Sequence, residues 1–523
     1  MLGRISSTPL SMPTLLLHCL FLVTLSASLV PAQQLRHPPL RPNVLWLVAD
    51  DMNWDSPGCF GGVTEDVSPN IDRLAAEGVQ FWHAHVNIAI CTPSRSVMLT
   101  GLYPQNNGAE GFQRIHPGTP TLPALLNEAG FLCGTIGKPL SQQELFRWST
   151  TYTWKGKGDE NLWGRDPEVY RRFSRDFFAN AKSAGQPFFL MASTHDPHDP
   201  FATPGARGRH PGNPHYERAE SSRTYGPSEV RLSGGLPDLP EIRRHLADYA
   251  SSVRRTDDMV GAVLEELERA GLSENTIVFF LSDHGMAFPG IKANCYPDST
   301  RSPWIIRWPG KVAPGSDDRH HMLSAVDLQP TFLEALGLPP TEKCDGRSFL
   351  PVLLGEQQAN RDHVFTQFFH IHGKETFPMR AVLSRDHAYI FNPWSDGQRI
   401  FSRQWNGFGA YRKAAGSSPA MKSRIEHLLH RSVEEFYSLN RDPYCLANLL
   451  EEKTASVSAS DTITQYRARL RNYMQRFNDP ALTAFDNRED PEALEAFIRT
   501  YTARATKAKE ELRTYEQAKG YRF

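Results

Sequence analysis

Residues 91–101, CTPSRSVMLTG, bring a cysteine, a proline and an arginine to the start of a predicted helix. Pro93 fixes φ and lacks an N–H group, so it suits the first position of a helix that runs from Ser94 toward Gly101, with Cys91 at or just before the helix N-terminus. The free N–H groups and the dipole of such a helix favour an anion, and Arg95 adds a planar cationic fork for sulfate, phosphate or carboxylate. The segment therefore predicts a catalytic turn, with a buried structural cysteine as the alternative.

Three apolar runs, at 43–48, 188–192 and 277–281, are each followed by polar residues that suit metal binding or proton transfer. The polar groups are Asp50-Asp51, His195-Asp196-Pro197-His198 and Asp283-His284. Helical patterns at 68–77, 121–129 and 242–270 alternate with the runs, which predicts an α/β fold with a parallel sheet. Because the carboxyl ends of parallel strands share one edge, these groups are expected to meet there.

The pattern Cys-x-Pro-Ser-Arg followed by Leu-Thr-Gly resembles the signature of the formylglycine-dependent sulfatases, and the resemblance covers residues 41–450. It implies an α/β, alkaline-phosphatase-like sulfatase fold, in which helices flank a large, mostly parallel sheet and a smaller α+β subdomain follows. It also implies that a formylglycine-generating enzyme oxidises Cys91 to an aldehyde. The hydrated aldehyde, and not a thiolate, would then be the nucleophile.

The resemblance implies a metal site formed by Asp50, Asp51, Asp283, His284 and an oxygen of the formylglycine made from Cys91. Carboxylate oxygens suit hard cations, whereas a thiolate is a soft ligand, so Cys91 is not expected to act through sulfur. The expected ion is Ca²⁺. Many sulfatases carry asparagine where this chain has His284, so Mg²⁺ and Mn²⁺ stay as alternatives. Taken alone, Asp50-Asp51 also fits a helix-capping turn.

The resemblance also implies cations around an anionic substrate. Lys138 and Lys292 match lysines that contact the sulfate together with Arg95, and His195 matches a histidine that protonates the leaving atom. Either lysine alone would more often be a solvated surface charge.

Further residues are predicted to bind the sugar: His198, His370 and Arg380. For His370 and Arg380 a structural ion pair is an equal alternative. The family usually reads Gly-Lys-x-His, whereas this chain reads Gly137-Lys138-Pro139-Leu140. Leu140 thus replaces the histidine that assists sulfate release, and His198 or His116 is a candidate substitute.

The chain has 523 residues, of which 40% are hydrophobic and 22% charged, which predicts two or more domains around a large core. The net charge of −1 argues against a nucleic-acid partner. If Cys19 is cleaved away and Cys91 is modified, five of the seven cysteines remain, and their spacing matches no zinc site or disulfide scaffold.

Residues 1–32 resemble a secretory signal peptide, with a signal anchor as the alternative, and 33–42 form a linker. No later segment approaches the length of a stable membrane span. The mature protein is expected in a secreted, periplasmic or lysosome-like compartment. The predicted domains are a catalytic domain (43–355), a C-terminal subdomain with a small antiparallel sheet (356–480) and a charged helical extension (481–523). Short strands of the C-terminal subdomain are predicted at 363–369, 380–384 and 388–392.

Within the family, three patterns most resemble the heparan N-sulfatase branch: His195-Asp196-Pro197-His198, Phe288-Pro289 after the Ser-Asp-x-Gly element, and Phe377-Pro378-Met379-Arg380. This implies an exported sulfatase that acts on N-sulfated glucosamine of heparan-type glycans. Three alternatives remain open: an O-sulfatase of another sulfated glycan, a related phosphatase or phosphonate hydrolase, and a catalytically silent sulfated-glycan binder.

Overall fold

The computed structural model describes residues 41–62, 64–138, 143–152, 164–202, 220–232, 235–370, 376–401, 405–451 and 457–518. The predicted signal peptide, linker residues 33–40 and Leu140 lie outside the described residues.

Fourteen strands are present in the described part of the chain: β1 (Asn43–Asp50), β2 (Val79–Phe81), β3 (Ala84–His85), β4 (Leu132–Gly137), β5 (Thr150–Tyr152), β6 (Phe188–Pro197), β7 (Thr276–Ser282), β8 (Trp304–Arg307), β9 (Ser316–Asp318), β10 (Leu323–Ser324), β11 (His363–His370), β12 (Thr376–Ser384), β13 (His387–Phe391) and β14 (Glu434–Ser438).

The helices of the same part are α1 (Pro69–Ala76), α2 (Cys91–Thr100), α3 (Pro104–Asn107), α4 (Leu122–Glu128), α5 (Gln143–Phe146), α6 (Pro167–Ala184), α7 (Pro240–Arg269), α8 (Pro297–Thr300), α9 (Leu328–Ala335), α10 (Leu350–Leu353), α11 (Phe408–Ala415), α12 (Pro419–His430), α13 (Val457–Arg476), α14 (Leu482–Asp486) and α15 (Pro491–Ala518). Short 3₁₀ turns occur at Gly58–Phe60, Ser273–Asn275 and Ala325–Asp327.

The large sheet has eight strands in the order β5-β4-β6-β1-β7-β8-β2-β9. Strands β5, β4, β6, β1 and β7 run parallel, and β8 is antiparallel to both β7 and β2. Strands β1 and β7 are buried along their whole length, as their continuous apolar sequences predict. The α/β fold with a large, mostly parallel sheet is therefore confirmed.

A smaller antiparallel sheet, in the order β11-β12-β13-β14, lies in the C-terminal part of the chain. The predicted strands at 363–369, 380–384 and 388–392 correspond to β11, β12 and β13. Strand β12 begins earlier than predicted, at Thr376, because Thr376 to Met379 are buried against neighbouring elements. The small sheet is confirmed, and the domain boundaries at 355 and 480 stay a prediction.

Trp46 lies at the centre of the core, on the middle of β1. Its ring packs edge-on against Phe189 of β6, Phe279 of β7 and Phe332 of α9, with ring centroids 5.3, 5.6 and 5.1 Å apart. Through these three contacts, Trp46 links β6 and β7, the two strands beside β1, to helix α9, which covers them. Strand β1, which leads directly into Asp50, is thereby held in the middle of the sheet.

We expect Trp46→Ala to lower the free energy of unfolding by about 3–5 kcal/mol, because a buried aromatic ring is replaced by a cavity. Ile400→Ala is the control, since Ile400 is 55% exposed and its truncation is expected to change stability by under about 0.5 kcal/mol. Denaturant unfolding followed by tryptophan fluorescence and circular dichroism measures both values. Equal losses would contradict this account of the core.

Candidate active site

The carboxyl ends of β1 and β7 bring three aspartates together. Asp50 ends β1, and Asp51 follows with φ at 67°, a conformation uncommon outside glycine. The Asp51 N–H donates to Asp283 Oδ1 at 3.2 Å, and the Asp283 N–H donates to Ala49 O at 3.1 Å. The pairing of the two strands therefore continues past their ends and fixes where the carboxylates lie.

Helix α2 brings residue 91 to the same place. Cys91 is the first residue of the helix, and all ten of its residues are buried. Ser94 Oγ donates to Asp283 O at 2.7 Å, which joins the first turn to the end of β7. The predicted helix is confirmed, but it begins at Cys91, two residues before the predicted first position at Pro93. Gly101 ends the helix with φ at 64°.

Possible metal ligands converge at this point. One ligand atom each from Asp50, Cys91, Asp283 and His284 lie within 4.8 Å of one another, and Asp51, Cys91 and His198 form a second such group. His284 Nε2 is 3.4 Å from Cys91 Sγ and 3.3 Å from Asp51 Oδ1.

Three cations face these carboxylates. Lys138 Nζ contacts Asp50 Oδ2, and Lys292 Nζ donates to both oxygens of Asp51 at 2.6 and 2.7 Å. Arg95 Nε donates to Asp283 Oδ2 at 2.9 Å. Lys292 Nζ also lies 3.7 Å from Cys91 Sγ. Each aspartate is thus matched by a different cation.

Gly137 makes the position of Lys138 possible. Its φ is 86°, and a Cβ atom there would lie 2.1 Å from the carbonyl oxygen of Ser193. Any other residue would clash with β6 and displace Lys138, so the Gly-Lys pair is a geometric requirement.

The cations keep the aspartates ionised. Burial would raise the pKa of Asp50, but Lys138, His198 and Arg95 outweigh it and hold the pKa well below its usual range. Burial likewise opposes ionisation of Asp51, yet His198, Lys292 and His284 lower its pKa to about 2. For His284 burial lowers the pKa, but Asp283 and Asp51 raise it to about 9.

The donor set fits a hard divalent cation. Asp50 Oδ1 is buried and accepts no hydrogen bond from the described residues, so one carboxylate oxygen is left for a ligand outside the protein. The three carboxylates offer the oxygen donors that Ca²⁺ and Mg²⁺ prefer. The raised pKa of His284 reflects the same surplus of negative charge, which a cation would neutralise.

Arg95 is arranged to bind an anion. Its side chain is 1% exposed, and its Nη1 and Nη2 atoms have no hydrogen-bond acceptor among the residues that the structure describes. Buried guanidinium N–H groups without acceptors are costly, so these donors favour an anionic ligand. Sulfate or phosphate oxygens meet that need.

A buried ion network positions His195 and His198. Asp196, which lies between them, contacts Arg165 and accepts two hydrogen bonds from Arg255 of α7, at 2.6 and 2.9 Å. Arg165 Nη1 also donates to His198 O at 3.1 Å. Burial, together with Lys138 and Arg165, holds the pKa of His195 well below its usual range, so His195 is neutral near pH 7.

Two predicted substrate residues, His370 and Arg380, are buried against other parts of the chain. Arg380 is fully buried and donates to both carboxylate oxygens of Asp479, at 2.5 and 2.8 Å. The predicted substrate contact of Arg380 is therefore wrong, and the structural ion pair is the correct interpretation. His370 is 3% exposed and packs over Gly111, where a Cβ would lie 2.2 Å from its ring.

Comparison with protein families matches the sulfatase family over residues 42–338, more than half of the chain. The chain belongs to the sulfatase family. It is accordingly an enzyme of the sulfatase hydrolase class. A second family, described as N-sulphoglucosamine sulphohydrolase, C-terminal, matches residues 291–391 of this sulfatase.

Individual relatives agree with this assignment. Human N-sulphoglucosamine sulphohydrolase is 28% identical over 479 residues, covering 85% of this chain and 92% of the relative. Mouse N-acetylgalactosamine-6-sulfatase is 28% identical over 453 residues, covering 77% of this chain and 81% of the relative. The solved structure of a 2-O GAG sulfatase superposes with a TM-score of 0.62 at 20% identity, covering 87% and 96% of the two chains, and shares the fold.

Within the described residues of this sulfatase, no helix is both long and apolar enough to cross a membrane. The six cysteines of this part form no disulfide with one another.

Sequence reasoning missed the residues that orient the predicted site. Arg165 and Arg255 hydrogen-bond to Asp196 between the two histidines and lie outside every motif named above. Ser94 belongs to the Cys-x-Pro-Ser-Arg pattern, but its hydrogen bond to Asp283 could not be read from that pattern. Arg255 could have been recognised as unusual, because it is a charged residue on the buried face of α7 between Ser252 and Thr256. A charged residue on the apolar face of a helix indicates a buried partner.

We expect Asp283→Asn to weaken Ca²⁺ binding by at least about tenfold, because it removes a negative charge from the donor set while keeping the shape of the side chain. Calorimetric titration of chelator-treated protein measures the affinity. Asp257→Asn is the matched control, since Asp257 is also buried but accepts hydrogen bonds from Asn70 and Ile71. Unchanged sulfatase activity after exhaustive chelation would contradict a metal requirement.

Proposed function

We propose that this sulfatase hydrolyses the N-sulfate of glucosamine at the non-reducing end of heparan-type glycosaminoglycans, using a formylglycine made from Cys91 and a bound Ca²⁺. The observation that carries the proposal is the convergence of Arg95, Lys138 and Lys292 on residue 91 beside three buried carboxylates. The match of residues 291–391 to the C-terminal family of N-sulphoglucosamine sulphohydrolases supports the choice of substrate.

In the proposed reaction, one hydroxyl of the hydrated aldehyde at position 91 gives up its proton to solvent, and the resulting oxyanion attacks sulfur in line with the departing nitrogen. A bound divalent cation would supply positive charge that lowers the pKa of this hydroxyl group. Arg95 Nη1 and Nη2 and the two lysines stabilise the negative charge on the sulfuryl oxygens. The S–N bond breaks, and the nitrogen takes a proton from a histidine.

Two histidines are available for proton transfer. His195 is neutral at rest, so it must gain a proton as the anionic substrate offsets the charge of Lys138. His198 offers a ring nitrogen within 4.8 Å of the ligand atoms of Asp51 and Cys91. We assign proton donation to His195. His198 is assigned the removal of the proton from the second diol hydroxyl, whose oxygen then forms the C=O bond of the aldehyde as the C–O bond to sulfate breaks. His198 then replaces the histidine missing at Leu140.

We further propose that the protein is exported and acts in a secreted, periplasmic or lysosome-like compartment. The pattern of residues 1–32 supports export. Maturation then requires a formylglycine-generating enzyme in the host.

We expect Cys91→Ser and Cys91→Ala to reduce hydrolysis to background without a change in thermal midpoint above about 2 °C, because the role of Cys91 is chemical. Mass spectrometry of the wild-type peptide that contains Cys91 is expected to show an aldehyde. Turnover of either variant at the wild-type rate would exclude the formylglycine mechanism. Sulfate binding without any turnover by the matured wild type would favour a silent glycan binder.

We expect the wild type to cleave N-sulfated glucosamine with higher kcat/KM than 6-O-sulfated N-acetylglucosamine. Release of free sulfate from both sugars measures this, and a phosphate monoester serves as the control for phosphatase activity. Preference for the O-sulfated sugar would move the assignment to another glycan sulfatase. Preference for the phosphate ester would point to a phosphatase.

We expect His195→Ala to lower kcat on N-sulfated glucosamine about 10²–10⁴-fold and to affect an activated aryl sulfate much less, because a phenolate leaves without a proton. His198→Ala is expected to slow both substrates, with a sulfated enzyme accumulating. Quenched-flow assays and intact-mass measurement separate the two roles. Equal losses for His195→Ala on both substrates would contradict its assignment as the proton donor.

A further inference from the structure

The loop that follows β7 carries Lys292 into the active site. Lys292 Nζ reaches Asp51 and lies 3.7 Å from Cys91 Sγ, while the side chain is 3% exposed. Its own carbonyl oxygen accepts hydrogen bonds at 3.4 Å from Asn294 Nδ2 and from Trp405 Nε1. The next residue, Ala293, has φ at 67°, so the main chain turns sharply there. The direction of the lysine therefore depends on how the following residues are held.

Asn294 is held by the C-terminal part of the chain. Arg431, which follows α12, donates from Nη1 to Asn294 Oδ1 at 2.6 Å. Arg431 also forms two hydrogen bonds with Glu435 of β14, at 2.7 and 2.9 Å, and the two side chains are 1% and 0% exposed. The φ of Arg431 is 56°, a conformation that costs energy outside glycine.

Glu435 returns to the same loop at a second point. Tyr296 Oη donates to Glu435 Oε2 at 3.2 Å, and the guanidinium of Arg431 lies 4.3 Å from the centre of the Tyr296 ring. Tyr437 Oη donates to the same oxygen at 2.8 Å. The Arg431–Glu435 ion pair is thus hydrogen-bonded to the loop at Asn294 and at Tyr296, two and four residues after Lys292.

A second buried ion pair serves as a control, because it allows an effect on the position of Lys292 to be separated from an effect on protein stability. Arg380 and Asp479 are also fully buried and doubly hydrogen-bonded, and Arg380 lies on β12 of the same small sheet. The hydrogen bonds of Arg380 are with Asp479, Phe368 and Met379, and its guanidinium lies over the ring of Phe369, so none of these contacts is with the Lys292 loop. The two pairs are alike in burial and in their paired hydrogen bonds, and of the two it is the pair of Arg431 that is hydrogen-bonded to the loop.

We propose that Arg431, Glu435 and Asn294 form a positioning network that sets Lys292 at the distance from residue 91 needed to bind the sulfuryl group. The inference rests on the proposed function, in which Lys292 contacts the sulfate. The physical reason is that a displacement of an active-site group by about 1 Å can slow the reaction on the order of a hundredfold. The small C-terminal sheet thereby takes part in substrate binding through a residue of the large domain.

The test compares Arg431→Lys with Arg380→Lys, each of which keeps the charge and loses the planar double hydrogen bond. We expect Arg431→Lys to raise both KM for an aryl sulfate and the inhibition constant of inorganic sulfate about tenfold or more. Arg380→Lys is expected to change both by less than about twofold at a similar loss of thermal stability. Asn294→Ala, which leaves the ion pair intact, should reproduce the effect of Arg431→Lys if that variant does not fold.

A double variant completes the test, with Asn294→Ala introduced into a protein that already carries Lys292→Ala. Residues that act through Lys292 have nothing to position once its side chain is removed. Adding Asn294→Ala to Lys292→Ala should then change the inhibition constant of sulfate by less than about twofold. An undiminished effect in that background, or equal effects of Arg431→Lys and Arg380→Lys on sulfate inhibition, would overturn the proposal. If the matured wild type releases no sulfate from any substrate, the proposed function itself fails. Thermal shift by inorganic sulfate then still reports whether the network affects anion binding.

Discussion

Three carboxylates buried beside residue 91 are the feature on which the rest of the structure depends. Taking one such ion out of water costs on the order of 20 kcal/mol in the idealised limit, and close like charges add to that cost. Asp50, Asp51 and Asp283 are tolerated because Lys138, Lys292 and Arg95 each meet one of them. This arrangement has a functional consequence, since cations held by carboxylates are already in place for an anionic substrate.

The sheet supplies the precision that this arrangement requires. Asp50 and Asp283 come from neighbouring parallel strands, and Lys138 follows β4 two strands away from β1. Because the parallel register aligns the carboxyl ends of these strands, residues far apart in the chain are fixed by main-chain hydrogen bonds. Long lysine side chains would otherwise lose rotamer freedom on binding substrate, and here part of that entropy is already lost on folding.

Much of the site could be predicted from the sequence because local patterns carry it. The apolar runs that lead into Asp50 and Asp283 predict strand ends, and Pro93 with Gly101 predicts the helix of Cys91. The buried polar partners were not predictable in this way. Arg380 lies in a motif-like setting, yet its partner Asp479 is 99 residues away and follows α13, so only the tertiary structure identifies the ion pair. Arg165 and Arg255 were missed for the same reason.

The connection between the two sheets differs in kind from an ordinary packed interface. Apolar packing tolerates small shifts with small changes in energy, whereas a buried, doubly hydrogen-bonded ion pair loses most of its stabilisation when its geometry changes. Arg431 and Glu435 form such a pair, and Asn294 and Tyr296 bind it from the loop that carries Lys292. A displacement of the small sheet would therefore have to break the contacts of this pair with Asn294 and Tyr296, or move the loop that carries Lys292. The position of Lys292 is thus tied to residues that lie outside the motifs around Cys91, Asp50 and Asp283.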